Sequence, residues 1–308
     1  MIENPQIIQI IHAGYGVIFS YNFLVKFKLF RDCNNLIHFY YLTMLIIGCL
    51  LAVLVGLTLG LVGSGGTILT VPILVYIMGV DPVMATTYSL FAIGVCSLTG
   101  GIRGIIKKEA DLPKVLSFGV PSLVTVFITR SFILPLVPEI IHIAGYAIDQ
   151  RVALMILFSF IMVASSFSMI RAKNQEINGG NNNFHVPVEI ILLQGATVGL
   201  ITGLVGAGGG FLIIPTLMNF YHLPIRRAVA TSLIIIFINS FFGILGDLEK
   251  IPDFQWPLLI SYTMAVLLGI SIGFYYAGKI PNKLLKITFG YLILAIGLFI
   301  FIREIIHI

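Results

Sequence analysis

Long apolar runs, broken at intervals by short polar or Gly- and Pro-bearing stretches, fill the chain. A membrane-spanning helix needs about 20 apolar residues, so the runs can be sorted by length. The pattern predicts helical segments at Ile7–Leu24, Tyr40–Val62, Thr67–Met78, Pro82–Ile106, Lys114–Val137 and Val152–Ile170. After a polar stretch it predicts Val188–Val205, Gly210–Tyr221, Arg226–Leu245, Trp256–Ala277 and Leu284–Ile302. Thr67–Met78 and Gly210–Tyr221 are too short to cross alone. The polar stretch "NQEINGGNNN" (Asn174–Asn183) has the composition of a flexible linker.

This pattern divides the chain into an extra N-terminal segment (1–39), a first transmembrane repeat (40–173), a linker (174–186) and a second repeat (187–308). The N-terminus, "MIENPQIIQIIHAGYGVIF", has Glu3 where a basic n-region would stand and shows no small-residue cleavage site. We therefore expect it to be retained as an extra membrane or interfacial segment.

Composition removes most other readings. With 58% apolar and 10% charged residues and a mean hydropathy of +1.05, the chain leaves no room for a sizeable soluble domain. The net charge of +5 is spread singly between apolar runs, the pattern of membrane topology signals, not of a nucleic-acid face. Cys33, Cys49 and Cys96 form no CxxC pair, and the six histidines are dispersed. No nucleophile–base pair or ligand cluster emerges, so we expect neither an enzyme nor a bound metal or cofactor.

Sliding the chain on itself pairs Gly56–Gly100 with Gly199–Gly243 without a gap. Among the identities are Gly60/Gly203, Gly63/Gly206, Gly65/Gly208, Gly66/Gly209, Pro72/Pro215, Ser89/Ser232, Ser97/Ser240 and Gly100/Gly243. Each copy holds five segments, and an odd number turns the second copy upside down in the bilayer. Loop charges agree. The loop with Arg103, Lys107, Lys108 and Lys114 answers to one with Asp247, Glu249, Lys250 and Asp253. The acidic connection Glu139–Asp149 answers to Lys279, Lys283 and Lys286, and the Asp81 loop to Arg226 and Arg227. Basic loops favour the cytoplasm, so the linker is expected there; Lys26, Lys28 and Arg31 disobey this arrangement. The expected fold is all-α: a polytopic membrane protein of two inverted-topology repeats, each with about five helical segments and a broken or short helix at its glycine cluster.

The clusters "GLVGSGGTILTVP" (Gly60–Pro72) and "GLVGAGGGFLIIP" (Gly203–Pro215) admit three readings. A phosphate-cradling loop fails, because neither Lys-Ser/Thr nor an acidic ribose partner follows. Close helix packing suits Gly56 and Gly60, one turn apart. A helix break suits the clusters themselves, since unwound backbone at membrane depth survives only inside protein or beside a wet cavity. Breaks at matching places in inverted repeats point to a substrate site between them.

Half-helices starting at Thr67 and Gly210 would aim their positive ends at the clusters, favouring an anion. The expected substrate-binding set is Gly63, Ser64, Gly65, Gly66, Thr67, Thr86, Thr87 and Ser89 in the first copy. In the second it is Gly206, Ala207, Gly208, Gly209, Gly210, Thr231 and Ser232. The alternative for each hydroxyl is a bond back to its own helix. All thirteen carboxylates fall at segment ends or in loops, leaving no intramembrane proton relay in view. Arg130 could attract an anion but is expected to snorkel to the outer interface. Arg103 could mark the cytoplasmic mouth, with a topology signal as its plainer role.

At these residues the chain resembles the sulfite exporter TauE/SafE family. The resemblance rests on the paired Gly-x-Gly-Gly clusters with their prolines and on "ATSL" at Ala230–Leu233, with "ATTYSLF" at Ala85–Phe91 as a departure. "GIRGIIKKEADL" (Gly101–Leu112) and "TRSFILPLVP" (Thr129–Pro138) resemble one branch. The likeness covers roughly Met44–Ile302. It implies secondary active export of sulfite, sulfoacetate or a related organosulfur anion from a multi-pass protein of the cell (inner or plasma) membrane. Uptake of sulfur oxyanions and an anion channel stand as alternatives. The implied partners are a small sulfur-containing anion and the lipid bilayer, with a homo-oligomer allowed and no nucleic acid.

Overall fold

The computed structural model describes residues 33–63, 65–138, 140–143, 146–171, 187–277 and 282–306. The expected segment Ile7–Leu24, the basic residues Lys26, Lys28 and Arg31, the linker 174–186 and Ser64 lie outside them.

All ten predicted segments from Tyr40 onward are helical. They form α1 (Cys33–Val62), α2 (Gly66–Ile77), α3 (Pro82–Ile106), α4 (Leu112–Leu136) and α5 (Gln150–Arg171), then α6 (Val188–Val205), α7 (Gly210–Asn219), α8 (Ile225–Gly246), α9 (Trp256–Tyr276) and α10 (Asn282–Ile306). Seven of these are long and apolar enough to cross a membrane; α2 and α6 are shorter apolar helices. Helix α1 begins ahead of the expected Tyr40. The break before α2 starts with a tight 3-10 turn at Gly65–Leu69, and the ladder widens to a π turn at Ile73–Ile77, just after Pro72. Pro72 has no N–H to give the preceding turn, so regular spacing fails there. A second π turn, Thr129–Ile133, interrupts α4 just before Pro135.

One element departs from the all-α expectation. Within the Glu139–Asp149 connection, β1 (Ile140–Ile143) pairs antiparallel with β2 (Tyr146–Asp149), Ile140 opposite Asp149 and Ile143 opposite Tyr146.

Helix starts are set by local chemistry. The Asp81 carboxylate accepts from the Val83 and Met84 N–H groups, and Pro82 occupies the first turn of α3, where no N–H is needed. Asp111 caps α4 in the same way through Lys114 N.

Packing joins the two halves of the chain. Helices α3 and α8 lie antiparallel: Thr87 meets Asp247, Leu90 meets Gly243, Gly94 meets Ser240, Gly100 meets Leu233 and Gly104 meets Ala230. Glycines make this approach close, since a Cβ on Gly94 would fall 2.9 Å from that of Ser240. Helix α1 packs on α9, as α6 packs on α4. A Cβ on Gly56 would strike the Val266 carbonyl oxygen, and one on Gly199 that of Ser122. Gly56 and Gly60 are thus packing glycines, as their spacing suggested.

Several contacts recur with the copies exchanged. Gly100 meets Leu233, and Gly243, the counterpart of Gly100, meets Leu90, the counterpart of Leu233. Likewise Gly63 meets Val229 while Gly206 meets Thr86.

Apolar side chains are exposed at every fourth residue on the outer helices: Leu42, Ile46, Leu50 and Leu54 on α1, and Ile260, Met264, Leu268 and Ile272 on α9. Such stripes would not persist in water and face lipid. Charge is biased between the two ends of the bundle, although Arg151 and Lys250 pair with acids at the acidic end and Glu109 and Asp111 lie at the basic one. Asp81, Asp149, Asp247, Glu249 and Asp253 lie where α3 and α5 begin and α8 ends, an end tied together by the Arg151–Asp81 pair at 2.9 Å and the Thr87–Asp247 bond. Arg103, Lys107, Lys108, Lys114, Arg226 and Arg227 lie at the other, where Asp111 N donates to Thr231 Oγ1.

Candidate functional site: the glycine breaks and a buried ion pair

Both clusters interrupt the helix. Helix α6 stops at Gly206 (φ +70°), Gly208 and Gly209 follow at +65° and +68°, and α7 starts at Gly210; Gly63, after α1, stands at +83°. Left-handed backbone costs an L-residue with a side chain about 1–2 kcal/mol, so the turn requires glycine. Space requires it as well. A Cβ on Gly206 would fall 2.5 Å from the Thr86 carbonyl oxygen, and one on Gly63 would strike Val229. One on Gly208 would lie 3.0 Å from Ile93, 3.1 Å from Ile236 and 3.8 Å from Ser240 Oγ. The second break is therefore inserted at the α3–α8 crossing. Helix α7 also packs on the 3-10 turn Gly65–Leu69 that opens α2.

The predicted hydroxyls divide by partner. Thr86 donates to Val83 O at 2.7 Å and Ser232 to Val229 O at 2.9 Å, the back-bonds that were the alternative reading. Thr87 donates to Asp247 at 2.8 Å, and Thr231 accepts from Asp111 N at 3.0 Å. Thr67, Gly66, Ala207, Gly208, Gly209 and Gly210 are buried. Ser89 is buried with no hydrogen-bond partner among the described residues. Ser97 and Ser240, absent from the predicted set, are equally buried and equally unpartnered. The repeat alignment pairs them, a signal that could have placed them in the site.

Arg130 does not snorkel. Its side chain is fully buried, and Nη1 donates to Asp247 Oδ2 at 2.7 Å, to Thr86 Oγ1 at 3.0 Å and to Thr87 Oγ1 at 3.4 Å. The expectation failed because a polar partner inside the protein holds the guanidinium more firmly than a stretch to water would. Gly246 makes room for it: a Cβ there would fall 2.6 Å from Arg130 Cβ. Asp247 sits at the end of α8 as read, yet is only 2% exposed, and its second oxygen takes Lys250 Nζ at 2.7 Å. Burial pushes this carboxyl upward, but Arg130 and then Lys250 and the Thr87 hydroxyl outweigh it, leaving it below the ordinary carboxylate value. Arg130 Nε and Nη2 have no hydrogen-bond partner among the described residues. Leaving buried donors of this kind unmet costs about 1–3 kcal/mol each.

The corresponding place at the other end is built differently. Where Asp247 faces Thr87, the counterparts are Gly104 and Ala230. Arg103 lies there, its guanidinium 4.6 Å from the Phe274 ring centroid and its Nη2 3.5 Å from the Phe274 carbonyl oxygen. Among the described residues no three His, Cys, Asp or Glu side chains gather as a metal site.

A "probable membrane transporter protein" of Xylella fastidiosa is 26% identical over 260 residues, covering 82% of this chain and 92% of that one. A second from Methanocaldococcus jannaschii is 26% identical over 268 residues (81% and 94%), and YunE of Bacillus subtilis, of the same description, is 24% identical over 275 residues (80% and 94%). No solved structure matches. The family model "Sulfite exporter TauE/SafE" matches residues 48–300. Seven spanning-length helices, stripes of lipid-facing side chains and this match together make the chain a multi-pass membrane transporter of the TauE/SafE sulfite exporter family.

Proposed function

We propose that this transporter exports sulfite, sulfoacetate or a related small organosulfur anion across the cell membrane by secondary active alternating access. In this reading the repeats are inverted copies that rock about the α3–α8 crossing, with the linker 174–186 cytoplasmic. The antiparallel run of α3 against its own counterpart supports inversion, because a two-fold axis relating two antiparallel spanning helices lies in the plane of the membrane. The clustering of Arg103, Lys107, Lys108, Lys114, Arg226 and Arg227 at one end supports the orientation.

The observation that carries the site is the Gly206–Gly209 turn at the crossing, next to the buried, unpartnered hydroxyl of Ser240. The N–H groups at the start of α7 and the Ser240 hydroxyl beside Gly208 can donate together to an anion. The glycines let the backbone approach that anion and change conformation as the repeats move.

Proteoliposomes loaded with labelled sulfite test this. Gly208→Val should abolish efflux and Ser240→Ala should reduce it, both with normal insertion into the membrane. Sulfite flux equal to that of the unaltered protein in both variants sinks the reading, and net flux only inward under every imposed gradient converts it to uptake.

A further inference from the structure

Arg130 is tied by one nitrogen only. All three of its hydrogen bonds leave from Nη1, toward Asp247, Thr86 and Thr87. The opposite edge, where the Nε and Nη2 hydrogens point the same way, has no partner among the described residues, although the side chain is fully buried. That edge is the side-on fork that grips two oxygens of one planar or trigonal oxyanion at once. An arginine used only to neutralise Asp247 would more naturally present the fork to the carboxylate.

The surrounding charge fits such a guest. Within the directly bonded set, Arg130 and Lys250 meet the one carboxylate of Asp247, which leaves that set one positive charge in excess; the other acids of this end, Asp81, Asp149, Glu249 and Asp253, are partly or fully exposed, where water screens them. A monovalent anion balances it. The π turn Thr129–Ile133 carries Arg130, and Gly246 leaves room for its stem. Such turns inside α-helices recur at functional sites. Thr86, which accepts from Nη1, is also the residue against which Gly206 packs, so the fork adjoins the second glycine break.

We propose that the Nε–Nη2 edge of Arg130 binds a monovalent oxyanion with two acceptor oxygens, a sulfonate, hydrogen sulfite or carboxylate, with the Asp247 carboxylate on Nη1 competing for the same positive charge. The choice of sulfonate as probe rests on the transport reading above; the binding itself does not.

Binding to the purified full-length protein in detergent, at constant ionic strength and without any gradient, tests it. Methanesulfonate and acetate should bind about tenfold or more tighter than chloride, which offers one point of contact. Arg130→Lys keeps the charge but not the fork and should lose that preference. Asp247→Asn removes the resident negative charge and should tighten methanesulfonate binding about tenfold, which supports the proposal even if the lysine variant does not fold. Chloride binding as tightly as methanesulfonate, unaltered affinity in a folded Arg130→Lys protein, or unchanged or weaker affinity in Asp247→Asn each overturns it. Flux in proteoliposomes separates the two readings: absent sulfite efflux with methanesulfonate binding that still depends on Arg130 and Asp247 as above overturns the transport reading alone, whereas sulfite efflux with no preference of methanesulfonate over chloride overturns the Arg130 assignment alone.

Discussion

Arg130 Nη1 lies 2.7 Å from Asp247 Oδ2, and both side chains are closed off from solvent although 117 residues separate them in the chain. The pair joins α4 of the first repeat to the end of α8 in the second.

Removing one partner leaves an uncompensated buried charge. Arg130→Ala or Asp247→Ala should each lower stability by about 3–5 kcal/mol, read by denaturant or thermal unfolding in detergent. Replacing both, Arg130→Met with Asp247→Leu, should recover most of that loss. A double variant no more stable than the singles would mean that the pair contributes little beyond shape.

The depressed carboxyl of Asp247 sets a pH dependence. A group whose folded value lies below its ordinary 3.8 contributes stability above that value and loses it as pH falls through the lower, folded one. Unfolding midpoints should therefore stay nearly flat from about pH 8 to 5 as far as this group is concerned, and the protection should vanish only in strong acid. In Asp247→Asn the acid-side loss should be correspondingly smaller.

Close glycine contacts outside the breaks should be structural. A side chain on Gly56 or Gly273 would strike the backbone of the facing helix, at Val266 O and Leu57 O respectively. Gly56→Val and Gly273→Val should give little folded protein. Leu50→Ala and Leu268→Ala, on the lipid face, should stay within about 0.5 kcal/mol of the unaltered chain.

Sidedness can be read by chemical labelling. Lys108→Cys and Arg226→Cys should react with an impermeant maleimide from one side of sealed vesicles and Glu249→Cys from the other, in a background lacking native thiols. Reaction of all three from the same side would remove the inverted arrangement.

Much of the scaffold was legible because lipid imposes a simple rule: apolar length marks a helix, and glycine clusters before Pro72 and Pro215 mark its interruption. The hairpin at Ile140–Asp149 was missed, although "IIHIAGYAID" places a small Ala-Gly step between two β-prone runs. The site was only half legible. Arg130 was judged against its own apolar segment, where stretching to water is the cheap solution, and nothing local announces a partner in another repeat. Asp247 looked like one more loop acid. Comparing the copies would have singled it out, since its counterpart is Gly104. The π turns have no sequence signature beyond the prolines near them.

The two ends of the bundle are not interchangeable. Along the α3–α8 seam the Gly100–Leu233 contact recurs with the copies swapped as Gly243–Leu90, but the seam ends on a carboxylate–guanidinium latch on one side and near an arginine lying on Phe274 on the other. A perfectly palindromic carrier would rest equally in either posture. On the transport reading proposed above, one doorway is bolted by charge and the other only leaned shut, so the empty carrier would favour one stance, and an anion on the free edge of Arg130 would loosen the bolt by sharing the guanidinium's charge with Asp247.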